Sequence, residues 1–347
     1  MSWTEVFPVF TDEQIEKALK EFSREDEALF QDEFGVERIV GRVGATGGHI
    51  VAFSLFCKPP NIADTGVKQI SEDVLKNNDA KALGTRFEPW HHYVAPLIEH
   101  GPKIIEARPD VTVRIYLAKD MEFLLPELIP FAEIVLMRGS SVRSAPGMLW
   151  RFLPLEEGRA LTVLDADLAS TALLKIRITE RLPEAGLGFW RVPVPFDFAG
   201  NGDLVYRTIA GCYWGARVML PILDLLRAFR WHQNRNLHPV YGLHPLKKRY
   251  SVLFGCCWPN YGSDEYFQNV VLYPRFAEHG TLTILRKPTR SWFLLLDIEY
   301  VTWANSNSLV NYELYPHVAR EGERDEDGKE LTLTSEKYHK PNSVPPV

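Results

Sequence analysis

Apolar residues in this chain gather into short continuous runs, and the segments between the runs have helix-like spacing. Four runs without polar alternation are typical of strands buried on both faces of a parallel sheet: Ile50–Phe56, Val111–Leu117, Ala132–Met137 and Leu161–Leu164. Helical segments are predicted between them, at Ser71–Asn78, Phe87–His100, Met121–Phe131 and Met148–Leu155. This alternation predicts an α/β fold with a mixed, mostly parallel central sheet flanked by helices.

The segments before and after this alternation follow other patterns. Thr11 and Gln14 form a capping box that predicts a helix over Asp12–Phe22. The second half is less regular, with a strand-like aromatic pattern at Trp190–Phe198 and helices predicted at Arg217–Phe229 and Asp264–Tyr273. A further β-like apolar stretch covers Trp292–Trp303.

These patterns divide the chain into four parts. Residues 1–45 are predicted to be an N-terminal helical extension, and residues 46–290 to be the α/β domain. Residues 291–320 are predicted to be a β-rich addition. From Glu321 to residue 347 the low hydrophobicity predicts a poorly ordered tail.

Composition narrows the class of protein. The chain has 347 residues, of which 46% are hydrophobic, so it can bury a large core, and its net charge of −6 gives no sign of a nucleic-acid surface. Its four cysteines form no C-x-x-C pair, which favours reduced thiols in a cytoplasmic protein. No secretory signal or transmembrane segment is predicted, although nine tryptophans leave peripheral membrane contact open.

The most informative motif is Asp165-Ala166-Asp167, which follows the predicted strand Leu161–Leu164. On an extended chain its two carboxylates would leave the same face, roughly 6.5–7 Å apart. Such a pair suits Mn²⁺ or Mg²⁺, which in turn binds a diphosphate. The alternative is that both residues only cap the next turn. A second D-x-D, Asp325-Glu326-Asp327, lies in a charged stretch and is interpreted as solvated tail.

Three segments together resemble glycosyltransferases of the GT-A fold that use nucleotide sugars. Met148–Glu156 resembles the aromatic-Arg-aliphatic helix that precedes the D-x-D strand in that superfamily. Gly211–Ala216 resembles the strand of small and aromatic residues that walls the acceptor pocket. Tyr261–Asn269 is similar to the Asp-Gln-x-x-Leu-Asn motif of the glycogenin-like and galactosyltransferase-like families. The resemblance covers His49 to Leu285.

The resemblance implies a role for each matching acidic or basic residue. Asp165 and Asp167 would bind the metal ion, with Asp165 also able to contact the nucleotide. Arg151 would bind a phosphate or Asp165, and the alternative is an ion pair with a nearby glutamate. Asp264 and Glu265 would be the catalytic carboxylates, with Glu265 standing where the motif usually has Gln. Asp264 could instead be only a helix N-cap.

Further site residues follow from the same resemblance. His279 is the candidate for a third metal ligand. Tyr213 and Trp214 are candidates for the acceptor or sugar pocket, and the alternative for both is the hydrophobic core. Contacts with the nucleoside are expected by fold analogy from Ser54, Lys119 and Asp120.

The expected function is metal-dependent glycosyl transfer. The donor would be a nucleotide-diphospho-sugar, most simply a UDP-sugar, and the acceptor a hydroxyl of a glycan or small molecule. Two alternatives stay open: a non-catalytic GT-A-like protein that binds carbohydrate or acts as a scaffold, and a nicotinamide-dependent oxidoreductase built on the glycines of Gly44–Gly48. The second is disfavoured because a strand, and not a helix, is predicted directly after those glycines.

Overall fold

The computed structural model describes residues 10–42, 48–56, 76, 90–139, 146–180, 187–191, 196–197, 204–205, 213–235, 264, 267–272, 275, 282–286, 300–305 and 308–314. The strands are β1 (Val36–Gly41), β2 (Ile50–Leu55), β3 (Thr112–Leu117), β4 (Glu133–Met137), β5 (Leu161–Leu164), β6 (Leu187–Arg191), β7 (Phe196–Asp197), β8 (Leu204–Val205), β9 (Tyr213–Ala216), β10 (Leu282–Arg286), β11 (Tyr300–Asn305) and β12 (Ser308–Leu314). The α-helices are α1 (Asp12–Lys20), α2 (Arg24–Phe34), α3 (Ala95–Ala107), α4 (Leu125–Leu128), α5 (Gly147–Trp150), α6 (Ala172–Glu180) and α7 (Ile222–Asn234). Within these residues no helix has both the length and the apolar character that a membrane span requires.

The described strands form one ten-stranded sheet in the order β1-β4-β3-β2-β5-β9-β6-β10-β11-β12, and β7 pairs with β8 separately. Strands β2 to β5 pair with one another in parallel, and so do β6 and β10. Strand β9 lies between β5 and β6 and runs antiparallel to both. The edge strands β1 and β12, and β11 beside β12, also pair antiparallel with their neighbours. The expected α/β class with a mixed sheet is confirmed, and the neighbouring strands β2 to β5 form its parallel part.

The four strands predicted from continuous apolar runs are all present. Strands β3, β4 and β5 are buried at every position, and β2 is buried at all but Ser54. Strand β5 is covered on both faces. On one face Thr162 contacts Thr179 of α6 (Oγ1 to Oγ1, 2.7 Å), and on the other Trp214 of β9, paired with Val163, stacks on Phe152. This double coverage explains why the strand sequence does not alternate.

Glycine at position 215 lets α6 pack directly on β9. A Cβ atom there would lie 2.2 Å from the Thr179 hydroxyl oxygen, which no real contact permits. Because Gly215 pairs with Thr162 of β5, the small residue provides the space in which the two threonine hydroxyls meet. Gly215 therefore faces α6, whereas its neighbour Trp214 lies on the opposite face of β9 and stacks on Phe152.

Several helices differ in detail from the sequence prediction. The capping box of Thr11 and Gln14 is present, with each side chain accepting from the other residue's backbone N–H, and α1 ends at Lys20. A π-helical turn over Trp90–Val94 precedes α3, which continues to Ala107 with Pro102 inside it. Three further short helical turns are of 3-10 type, over Lys119–Leu124, Leu153–Glu157 and Ala166–Thr171.

The sheet begins earlier than the hydropathy pattern predicted. Strand β1 lies within the predicted helical extension, and its residues pair antiparallel with β4 at the edge of the sheet. Five of its six positions are exposed, so its sequence lacks the apolar run by which the inner strands are recognised. The predicted tail, residues 321–347, lies outside the described residues, as does most of the predicted helix at residues 71–78.

Candidate functional site

The candidate site lies at the carboxyl end of β5, where ligands usually bind in open α/β sheets. Strand β5 ends at Leu164, and Asp165 follows in an extended conformation as the N-cap residue of the 3-10 turn over Ala166–Thr171. Asp167 therefore lies in the first turn of that helix and is exposed. The expectation that both carboxylates leave one face of an extended strand is wrong, because the chain turns into a helix between them.

Arg151 joins the D-x-D sequence to a distant part of the chain. Its Nη1 donates to Asp165 Oδ1, and its Nη2 donates to Asp264 Oδ2 at 2.5 Å. The Arg151 side chain is only 5% exposed, whereas Asp264 is 13% and Asp165 39% exposed. The predicted contact between Arg151 and Asp165 is confirmed. The alternative, an ion pair between Arg151 and Glu156 or Glu157, is wrong. Glu157 binds Arg114, and the Glu156 carboxylate accepts a hydrogen bond from a backbone N–H of α7.

The charge of Arg151 is fixed by its two acidic neighbours. Burial alone would lower the pKa of the guanidinium, but the negative charges of Asp165 and Asp264 and their hydrogen bonds raise it above its ordinary value. Arg151 is therefore a permanent cation in a dry environment, where its attraction to negative groups is stronger than it would be in water. The Nε atom of Arg151 is buried, and none of the described residues forms a hydrogen bond with it.

An aromatic cluster holds the two halves of this site together. Phe152, next to Arg151, stacks on Trp214 with ring centroids 5.3 Å apart and packs against Phe267 at 5.3 Å. Phe267 lies three residues after Asp264 and also contacts Phe229 of α7 at 5.0 Å. All four rings are buried. Packing of these rings fixes the separation between the Arg151 segment and the Asp264 segment, and so places Arg151 within reach of Asp264.

The position of Trp214 corrects one expectation. Its side chain is fully buried and stacked in the aromatic cluster, so it belongs to the core and offers no surface to a sugar or acceptor. For Tyr213 the structure describes only the backbone, in β9. Glu265 and His279 lie outside the described residues.

The three expected nucleoside contacts lie near the same edge of the sheet. Ser54 is the penultimate residue of β2, and continuing the β2–β5 register from the Ala52–Val163 pair brings it level with Asp165. Its hydroxyl is buried and has no hydrogen-bond partner within the part of the chain that the structure describes. Lys119 and Asp120 follow β3; the Lys119 side chain is exposed and forms an ion pair with Glu37 at 2.6 Å.

Metal-binding capacity rests on carboxylates alone. No group of three His, Cys, Asp or Glu side chains suited to holding a metal ion occurs among the described residues. The oxygen ligands of Asp165 and Asp167 are nevertheless the type that Mn²⁺ and Mg²⁺ prefer, and Mg²⁺ is commonly bound by one or two carboxylates together with substrate phosphates. Both carboxylates have exposed surface and belong to the chemical type that such an ion binds.

Gln268 was missed by the sequence analysis as a residue with a possible role of its own. It follows Phe267 and begins a π-helical turn over Gln268–Leu272, which replaces part of the predicted helix Asp264–Tyr273. It is completely buried, and neither its amide nitrogen nor its amide oxygen has a hydrogen-bond partner among the residues described in the structure. Only the fold shows this, because an exposed glutamine would look the same in the sequence.

Comparisons with known proteins add no family to this picture. No protein-family model matches the sequence, and no curated protein or solved structure matches it either. Function must therefore be inferred from the geometry of the site and from the residues that form it.

Proposed function

We propose that this chain is a glycosyltransferase of the GT-A type that depends on a divalent metal and transfers a sugar from a nucleotide-diphosphate donor. The observation that carries the proposal is the buried bridge from Arg151 to Asp165 and Asp264. It joins the D-x-D sequence to the segment that resembles the later glycosyltransferase motif, 113 residues beyond Arg151. Two segments selected by resemblance alone thus meet at one point of the fold.

The architecture supports the same proposal. The acidic pair follows β5, a central strand that is parallel to β2 and antiparallel to β9, and a mixed sheet of this kind is what the GT-A class implies. The strand that resembles the wall of the acceptor pocket, β9, is the direct neighbour of the acidic strand β5. The segment before β5 supplies Arg151, as the resemblance implies.

The balance of charge favours a divalent cation and, through it, a diphosphate. Among the residues that the structure describes, Asp165, Asp167 and Asp264 bring three negative charges to this point against the one positive charge of Arg151, so these four groups by themselves would repel an anionic donor. A metal ion held by Asp165 and Asp167 would reverse that repulsion. When bound, it supplies positive charge that stabilises the departing diphosphate.

The protein groups would then have separate tasks. Arg151, whose charge is permanent, holds Asp165 and Asp264 in fixed positions and adds positive potential beside the phosphates. Asp264 is mostly buried against Arg151 and carries the negative charge suited to stabilising an oxocarbenium-like transition state. The Ser54 hydroxyl, level with Asp165 and without a hydrogen-bond partner among the described residues, would contact the nucleoside.

The test is a melting experiment with UDP and Mn²⁺, each alone and together. We expect the wild-type protein to be stabilised by about 2.7 kcal/mol when UDP with Mn²⁺ is present at 100 times its dissociation constant. Asp167→Asn should lose this gain, because an amide is a much poorer ligand for the cation. Glu99→Gln, which changes an exposed carboxylate on α3, is the matched control and should behave as wild type. An equal shift in Asp167→Asn would reject the metal assignment.

A non-catalytic carbohydrate-binding protein of the same class is the second candidate. The observation that favours it is that Arg151 already binds both Asp165 and Asp264, a closed arrangement that could serve stability alone. Hydrolysis of UDP-sugars in the presence of Mn²⁺ separates the two. Turnover that is lost in Asp264→Asn supports the transferase, whereas glycan binding without any turnover supports the second candidate.

A further inference from the structure

The side chain of His232, in the last turn of α7, contacts the N-terminal helix α1. Its Nε2 atom lies 3.0 Å from the backbone carbonyl oxygen of Gln14, which belongs to α1. A carbonyl oxygen can only accept a hydrogen bond, so Nε2 must carry a proton and donate it. The neutral ring therefore has its lone pair on Nδ1, and any further proton would bind there.

The surroundings of Nδ1 disfavour a positive charge. His232 is 5% exposed, and none of the residues that the structure describes forms a hydrogen bond with Nδ1. Two buried aromatic rings contact the imidazole in T-shaped geometry, with the centroid of Phe10 at 4.6 Å and that of Trp231 at 4.9 Å. A proton on Nδ1 would therefore place a cation in a largely apolar environment, which is destabilising.

The charged residues around His232 come from all three helices that meet there. Lys17 of α1 and Arg235, directly after α7, bring positive charge, and Glu21 at the end of α1 brings negative charge. Asp26 of α2 forms an ion pair with Arg235 at 2.9 Å. The carboxyl end of α7 and the hydrogen bond to α1 favour a charged ring. Burial and the two cations outweigh them and lower the pKa of His232 below its ordinary value of 6.5.

We infer that His232 is a pH-sensitive contact between α7 and α1: its neutral ring holds α1 in place, and uptake of a proton at Nδ1 releases α1. The structural reason is that the protonated ring is poorly accommodated only while α1 covers it. Once α1 has left, water can solvate the cation, and the ring regains its ordinary affinity for a proton.

Helix α1 can leave without unfolding the sheet. Among the described elements, α7 is the one against which α1 packs extensively. An ion pair between Asp12 and Arg275 adds to this contact, but Asp12 is 72% exposed, so the pair contributes little. Phe10, just before α1, contacts Phe229 of α7 with ring centroids 6.2 Å apart. Because Phe229 also contacts Phe267 in the aromatic cluster of the candidate site, release of α1 removes one support of that cluster.

The direction of the pH dependence follows from the lowered pKa. Above pH 6.5 the ring is neutral in both the closed and the released state, and the contact is at its strongest. As the pH falls below 6.5, the released state takes up a proton before the closed state does, so acid favours release. A difference of one bound proton changes the equilibrium constant for release by about tenfold per pH unit.

The experiment measures hydrogen exchange of the full chain by mass spectrometry at about pH 7.5 and about pH 5.5, on either side of 6.5. Each rate is divided by the intrinsic rate at the same pH, which leaves the protection given by the structure. Between the two pH values, the protection of Asp12–Lys20 should fall about three- to tenfold in the wild-type protein. Strands β2 to β5 should keep their protection, because the change is confined to α1.

His232→Gln is the informative variant, since its amide nitrogen can donate to the same carbonyl but has no pKa in this range. It should protect α1 equally at both pH values. His100→Gln is the matched control, because it removes a histidine on α3 whose side chain is 26% exposed. It should lose protection of α1 in acid as the wild-type protein does.

A titration of the histidine rings by NMR keeps the inference testable if His232→Gln fails to fold. In the wild-type protein, His232 should carry its single proton on Nε2 at neutral pH and titrate below pH 6.5. A proton on Nδ1 at neutral pH, or titration at or above pH 6.5, would overturn the inference. So would equal protection of α1 at both pH values in the wild-type protein, or an acid-induced loss in His232→Gln as large as in wild type.

Discussion

At the scale of single residues, a buried polar network near the amino end of β5 shows how the fold handles ionisable groups away from the candidate site. His49 Nε2 lies 2.8 Å from the Thr162 hydroxyl, which in turn contacts Thr179. Burial lowers the pKa of His49, so the ring stays neutral at neutral pH. Glu180, 3.8 Å from the other ring nitrogen, accepts two hydrogen bonds from Arg108, at 2.6 and 3.1 Å.

Glu180 makes the stability of the protein depend on pH. The nearby ring of His49 and the hydrogen bonds from Arg108 lower the pKa of Glu180 from 4.5 to about 2, against the opposing effect of burial. Because the folded-state pKa is depressed, its contribution to stability is present above pH 4.5 and is lost as the pH falls toward 2. We expect Glu180→Gln to be less stable than wild type at pH 7 and to approach it near pH 2, measured by urea unfolding across that range. A difference that stays constant with pH would contradict this assignment.

At the scale of elements, the two N-terminal helices are held to α7 by ion pairs and aromatic contacts. Helix α2 supplies three acidic side chains to α7 and the residue that follows it, in the pairs Asp26–Arg235, Glu27–Arg227 and Glu33–Arg230. The backbone carbonyl of Glu33 also accepts a 2.8 Å hydrogen bond from the ring nitrogen of Trp150, next to Arg151. The N-terminal helices thus support the segment that carries the site arginine.

Two of these ion pairs should differ sharply in energy. Glu33 and Arg230 are 12% and 11% exposed, and burial raises the pKa of Glu33 in spite of Arg230. Glu27 and Arg227 are 40% and 24% exposed. Glu33→Ala removes the carboxylate that binds Arg230 while the guanidinium stays buried, so we expect a loss of about 3–5 kcal/mol in the free energy of unfolding. Glu27→Ala, the control in the same interface, should lose about 1 kcal/mol or less.

A double variant tests whether the loss at Glu33 comes from the charge of Arg230 that Glu33 no longer balances. Replacing both Glu33 and Arg230 by Met should recover most of the stability that Glu33→Ala loses, because no uncompensated charge remains. If the double variant is no more stable than Glu33→Ala, packing and not charge explains the effect.

At the scale of the whole molecule, the N-terminal segment belongs to the same core as the sheet. Phe10, Ile15, Phe30 and Phe34 are all 7% exposed or less and join the single large cluster of buried apolar residues. Strand β1 then extends the sheet itself. The segment predicted to be a helical extension is thus packed as part of the domain.

Two truncations should therefore have opposite results. Removing residues 1–35 deletes three buried phenylalanines, whose burial stabilises the fold by about 1.5–3 kcal/mol each. It also removes the acidic side chains that form ion pairs with α7. That loss approaches the total stability of a typical domain, about 5–15 kcal/mol, so we expect this variant not to melt cooperatively. Removing residues from Glu321 onward should leave cooperative melting and the Mn²⁺-dependent response to UDP intact. A cooperative transition in the first variant, or its loss in the second, would show that the core is assigned wrongly.

Local sequence determined the strands β2 to β5, the capped helix α1 and the position of the acidic pair after β5. These features depend only on neighbouring residues, through continuous apolar runs, a capping box and the end of a strand. It did not predict β1, whose exposed edge position leaves no apolar run. Only the tertiary structure decided that Arg151 bridges Asp165 and Asp264 and that Trp214 is core, since these contacts join segments far apart in the chain. The geometry of the D-x-D pair differs from the predicted one for the same reason. Whether the chain continues as a strand after Asp165 or turns into a helix depends on the residues that pack around it. The spacing of two aspartates does not encode that packing.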